Sequence, residues 1–143
     1  MRMIIIFNGT EFNYDLNRFN LRKGVAGSFP GVPEEEISEN LVMYDEKTNT
    51  VTVDEKASDS YAKYAAIHEC ICCGRYKELA PDVDDPNKRC GAIDLMLIQN
   101  MPESDRETYK TKRIEMFKTL IEGNLNPPME PLFRESITML ESI

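Results

Sequence analysis

The chain predicts a small α+β domain: a small antiparallel sheet of two hairpins packed against three to four helices. Three observations carry that expectation. Strand-like segments fill the first part of the 143 residues and helix-like segments the rest, an order that sets a sheet beside helices rather than alternating the two. Asn8-Gly9 separates two short runs rich in Ile and aromatic residues, and this dipeptide favours a two-residue hairpin because both turn positions take positive φ. Apolar residues make up 41% of the chain, enough for one core, and the length suits a single domain over 1–143.

Each element follows from its local pattern. Met1–Phe7 and Thr10–Tyr14 read as paired strands, with Phe12 and Tyr14 sharing a face. Asp15–Gly27 has no dominant period and reads as one helical turn followed by a Gly-containing loop. Ser28–Pro33 is a Pro/Gly loop. Pro33 with Glu34, Glu35 and Glu36 marks the start of a short helix ending near Asn40, since proline suits the first helical position and carboxylates complement the dipole. Leu41–Tyr44 and Thr50–Asp54 form a second hairpin across Asp45–Asn49. There Val51 and Val53 alternate with threonines, as in a half-buried strand. Residues 1–57 are therefore mainly strands and loops.

Residues 58–122 read as helical. The first helix spans Ser58–Arg75, capped by Ser58 or Asp59. Glu78–Asn87 is an acidic, Pro-containing loop. Lys88–Asn100 is a second helix, stopped by Pro102. Ser104 and Glu107 have capping-box spacing and open a long amphipathic helix to Glu122. Its apolar stripe is Tyr109, Met116, Phe117, Leu120 and Ile121, with Lys110-Thr111-Lys112-Arg113 on its polar face. Residues 123–143 are a linker, Gly123–Pro131, and a final helix, Leu132–Leu140. Met139, Leu140 and Ile143 give that helix a sticky end suited to a partner or a second copy.

Composition excludes several classes. Acidic residues number 25 and basic residues 17, a net charge of −8, which argues against direct nucleic-acid binding. The longest apolar run, Met3–Phe7, is far short of a membrane span. Residues 1–30 lack the apolar core and cleavage site of a secretory leader, so a cytoplasmic location is expected. Three of the four cysteines crowd into Cys70, Cys72 and Cys73, with Cys90 apart. Disulfide scaffolds spread their cysteines to close loops, so reduced thiols are expected here. No Asp-x-Asp-x-Asp-Gly calcium loop or Gly-rich phosphate loop occurs.

One constellation carries chemistry. His68, the sole histidine, and Cys72 stand four residues apart and so share a helical face. Imidazole and thiolate both ligate a borderline-soft ion such as zinc. Glu69 sits beside this pair, one position round the helix. The strand Asn49–Asp54, followed by a helix bearing Ala66-Ile67-His68-Glu69, resembles the core of small zincin-type metallopeptidases over about residues 41–75. Their motif is H-E-x-x-H. The resemblance implies that His68 is the first ligand and Glu69 the catalytic carboxylate, with Cys72 standing at the second histidine. A thiolate donates more charge than an imidazole and leaves bound water less acidic, so little or no peptidase activity is expected.

Further ligands would come from the next helix. Cys90 and Asp94 share a face there, and Asp94 lies in an apolar run where an unpaired carboxylate would be costly to bury. It could bind a metal, pair with His68, or meet Arg89 or Arg75. His68, Cys72, Cys90 and Asp94 together would suit a closed zinc site. Two bland readings stand beside this one. His68 could be a hydrogen-bonded member of the buried stripe Tyr61, Tyr64, Ala65, His68, Ile71 and Cys72. The protein could also be a non-enzymatic acidic interaction module with an unidentified protein partner, its clusters at Glu34–Glu36, Asp45–Glu46, Asp82–Asp85 and Glu103–Asp105 imitating a phosphate backbone.

Overall fold

The computed structural model describes residues 2–7, 9–15, 21–24, 42–45, 47–48, 50–54, 57–74, 76–124 and 126–143. In chain order these form β1 (Arg2–Phe7), β2 (Thr10–Asp15), β3 (Leu21–Gly24), β4 (Val42–Asp45), β5 (Thr50–Asp54), α1 (Asp59–Cys72), α2 (Arg89–Asn100), α3 (Glu103–Glu122) and α4 (Glu130–Glu141). The architecture is α+β, as the sequence predicts.

β1 and β2 pair antiparallel with Phe7 opposite Thr10. Gly9 takes φ +74°, a left-handed backbone that glycine adopts without a Cβ clash. Phe7 and Phe12 turn into the core, and the Phe12 ring lies 4.4 Å from that of Tyr76. β4 and β5 form the second hairpin, Asp45 opposite Thr50, and the Asp45 carboxylate accepts the Lys47 backbone N–H at 2.9 Å.

β3 corrects the expectation of an irregular Asp15–Gly27 segment. It pairs parallel with β5, Leu21 opposite Val51, and makes β5 the central strand of a β3-β5-β4 sheet. Four residues are too few to display alternation, and non-local pairing decides their state. Centrality also explains why Thr52 is buried along with Val51 and Val53, where a half-buried strand was expected. The expected loop Ser28–Pro33 and the helix ending near Asn40 lie outside the described residues.

Ser58 caps α1: its Oγ accepts the Tyr61 N–H at 3.2 Å, satisfying one orphan donor of the first turn. A short 3-10 turn, Pro86–Lys88, leads into α2, and the Asp85 carboxylate accepts the Asn87 N–H before it. α3 begins at Glu103 without a side-chain cap, which corrects the capping box at Ser104. Pro102 holds the extended backbone that a cap position needs (ψ 144°), so the helix starts at once and Ser104 falls inside its first turn. α4 starts earlier than expected and takes Pro131 into its first turn, where a missing N–H removes no helical bond.

Two further expectations change. Arg113 does not lie on a polar face; it is 1% exposed, in line with Tyr109 and Phe117 on α3. The apolar end of α4 is covered by its own chain: α4 packs on α2 and α3 and Leu140 is fully buried, while Ile143 remains 54% exposed. α2 thus lies among α1, α3 and α4, and the polar side chains of α1 and α3 meet across it.

Candidate metal centre

Three helices supply the site, each through i,i+4 spacing. α1 presents His68 and Cys72, α2 presents Cys90 and Asp94, and α3 presents Tyr109 and Arg113. His68, Cys90, Asp94, Tyr109 and Arg113 are all buried, and Asp94 is 0% exposed.

Asp94 is the hub. Its Oδ1 lies 2.8 Å from His68 Nδ1 and accepts the Tyr109 hydroxyl at 2.7 Å. Its Oδ2 accepts Arg113 Nε at 3.0 Å. Both carboxylate oxygens are satisfied, which is the condition for burying such a group. On the other side of the ring, His68 Nε2 lies 3.3 Å from Cys90 Sγ. Arg113 Nη2 reaches within 3.9 Å of the same sulfur and Nη1 within 3.6 Å of Met116 Sδ. The guanidinium carbon sits 5.1 Å from the centre of the Phe117 ring, so aromatic faces line the remainder of its pocket.

The electrostatics follow from these contacts. Burial would raise the Asp94 pKa, but the Arg113 and His68 charges and the hydrogen bonds overcome it and hold the carboxyl down at about 2. Burial would likewise discharge His68, yet the charges of Asp94 and Cys90 raise its pKa well above the usual imidazole value. Arg113 is held charged by Asp94 in the same way. The Cys73 thiol, with help from His68 and Arg89 and against the effect of burial, lowers the Cys72 thiol to about 4.

His68, Cys90 and Asp94 form a buried group that could hold a metal ion: one ligand atom from each lies within 4.8 Å of the others. Cys72 is half-buried beside them and interacts with His68, while its backbone carbonyl accepts Arg89 Nη2 at 3.1 Å. Glu69 follows His68 on α1 and is raised by burial; its Oε2 accepts the Cys73 thiol at 3.6 Å. Asp94 therefore meets His68 as anticipated, but its cationic partner is Arg113, not Arg89. Arg75 lies outside the described residues. No disulfide joins the four cysteines.

The sequence reading missed Tyr109 as a donor to Asp94, and Arg113 altogether. A usable signal existed: Arg113 stands four residues from both Tyr109 and Phe117, at the centre of the apolar stripe. No helix among the described residues is long and apolar enough to cross a membrane. Comparisons with protein-family models, with curated proteins and with solved structures each return no match.

Proposed function

We infer that this chain is a zinc-binding protein with little or no peptidase activity. One observation carries the reading: Asp94 grips Nδ1 of the imidazole while Nε2 faces the Cys90 sulfur at 3.3 Å. Zn–N and Zn–S bonds of about 2.1 and 2.3 Å set tetrahedral ligand atoms about 3.6 Å apart. The His68–Cys90 pair is within a few tenths of an ångström of that separation. A carboxylate on the far ring nitrogen is the usual partner of a zinc-bound histidine, because it fixes the ring's tautomer and direction. Asp94 has that role in this reading, with both its oxygens already engaged. Cys72 interacts with His68 from one turn along α1 but stands outside the converging group, and becomes the third protein ligand once its thiol turns toward Cys90. Two thiolates and the Asp94 carboxylate offset the formal charges of a divalent ion and Arg113, so the buried set closes without net charge.

The same ligands argue against hydrolysis. Two thiolates weaken the ion as a Lewis acid, and Glu69 receives the Cys73 thiol. The likeness to zincins is then one of ligand placement on α1.

Elemental analysis of protein purified without added metal tests the reading, with close to one zinc per chain expected. Cobalt(II) substitution should give a thiolate-to-metal charge-transfer band that Cys90→Ser and His68→Ala each abolish or strongly weaken. Absence of both zinc and the cobalt band overturns the reading. The acidic exterior, with Asp82, Asp84, Asp85 and Glu103 exposed, would then be the working surface of an interaction module. Peptide hydrolysis lost in Glu69→Gln with zinc retained would overturn the non-peptidase part alone.

A further inference from the structure

A cavity lies apart from the His68, Cys90 and Asp94 group. About 630 Å³ in volume, it opens where the end of β1 meets α1, the C-terminal end of α2 and the start of α3. Its apolar lining includes Phe7, Ile67 and Met101, and the charged groups lining it among the described residues are Lys63 and Arg106. Among the described residues no carboxylate lines it, in a chain whose net charge is −8. The local sign is thus opposite to that of the whole molecule.

Among the described residues, neither cation makes an ion pair. Lys63 Nζ lies 4.8 Å from the centre of the Tyr64 ring. Arg106 donates Nε to the Met101 carbonyl at 3.1 Å, a bond that steadies the side chain and leaves its two terminal nitrogens as donors. Asp105, one residue away, accepts the Tyr64 hydroxyl at 3.0 Å. Ile6 also lines the cavity and is 71% exposed, the highest value among the described large hydrophobic residues. The second described groove of comparable size, between α3 and α4, places Glu122 among Lys118 and Arg134 and has no such bias.

We propose that this cavity binds a small organic acid: a carboxylate held by Lys63 and Arg106, with an apolar body laid over Ile6, Phe7, Ile67 and Met101. The volume falls within the range of small-molecule sites. A planar guanidinium matches a carboxylate with paired donors, and an ammonium adds a second charge without geometric demand. The acyl body would cover the exposed Ile6 side chain, which nothing polar could do at comparable gain. This inference is independent of the zinc reading, since the lining shares no residue with the metal centre.

The probe is octanoate, followed by amide chemical-shift changes and by calorimetry on the full chain. Octanoate should bind saturably and shift the amides of residues 6–7, 63–67 and 99–106. Octylamine has a similar apolar body and the opposite charge, and acetate lacks the body; both should bind at least about tenfold more weakly. Lys63→Gln and Arg106→Gln should each weaken octanoate binding about tenfold, as expected for loss of one charge-assisted contact. Ile6→Ser should weaken octanoate but leave acetate unchanged, and Lys118→Gln should leave both unchanged. Equal binding of octanoate and octylamine, or octanoate affinity unaltered in Lys63→Gln and Arg106→Gln, overturns the proposal.

Discussion

A single carboxylate organises the interior of this protein. Asp94 is tied to an imidazole, a phenol and a guanidinium that come from two other helices. Removing one partner of a buried ion pair strands the other charge, at about 3–5 kcal/mol. Asp94→Asn should therefore lower the unfolding free energy by about that amount in urea. Arg113→Met should cost less when combined with Asp94→Leu than on its own, because the double variant buries no lone charge. A pH prediction follows from the same contacts. The Asp94 carboxyl is held at about 2 against an ordinary value of 3.8, so its contribution is full above pH 4 and is lost as pH falls through 2. That contribution is about 2 kcal/mol. The side-chain carboxyl ¹³C resonance of Asp94 should titrate with a midpoint near 2; a midpoint near 4 would mean that the Arg113 and His68 contacts are absent in solution.

Helix ends and helix contacts set where those side chains stand. Ser58 caps α1 and also lies 3.4 Å from Lys112 Nζ of α3. Ser58→Ala should cost about 1 kcal/mol, read as a lower urea midpoint with an unchanged slope. Gly91 marks the close approach of α2 and α4: a Cβ there would lie 2.7 Å from Met139 Sδ and 3.3 Å from the Ser136 Cα. Alanine would gain about 1 kcal/mol of helix propensity; the Met139 Sδ can swing aside, but the Ser136 Cα and Met139 Cβ, each 3.3 Å away, resist, at about 1–3 kcal/mol of overpacking. Gly91→Ala should thus destabilise on balance, and the same change made in a Met139→Ala background should cost less. Elements with strong local signals were legible from the sequence. The Asn8-Gly9 hairpin, the Ser58 cap and the α2 stop before Pro102 each rest on chemistry contained within a few residues. The start of α3 was misjudged because Ser104 had the right spacing, while Pro102 had already fixed the backbone.

At the scale of the whole molecule, the inferred ligands couple metal binding to folding. An ion bound only by the folded chain adds about 2.7 kcal/mol when its free concentration is one hundred times Kd. Zinc should therefore raise Tm in wild type, a chelator should lower it, and Cys90→Ser should be insensitive to both. The sequence by itself determined the class of fold, the order of most elements, and three residues that the fold brings into one buried group, His68, Cys90 and Asp94. Those features depend on periodicity, capping and i,i+4 spacing, which act within one helix or hairpin. Tertiary structure alone decided that β3 joins β5 in parallel, that Asp94 takes Nδ1 of His68 and leaves Nε2 to Cys90, and that Arg113 crosses from α3 to neutralise Asp94. Each of these joins segments distant in sequence. Such a choice is made by the energy of burying a charge with or without a partner, and no local pattern records which partner will arrive.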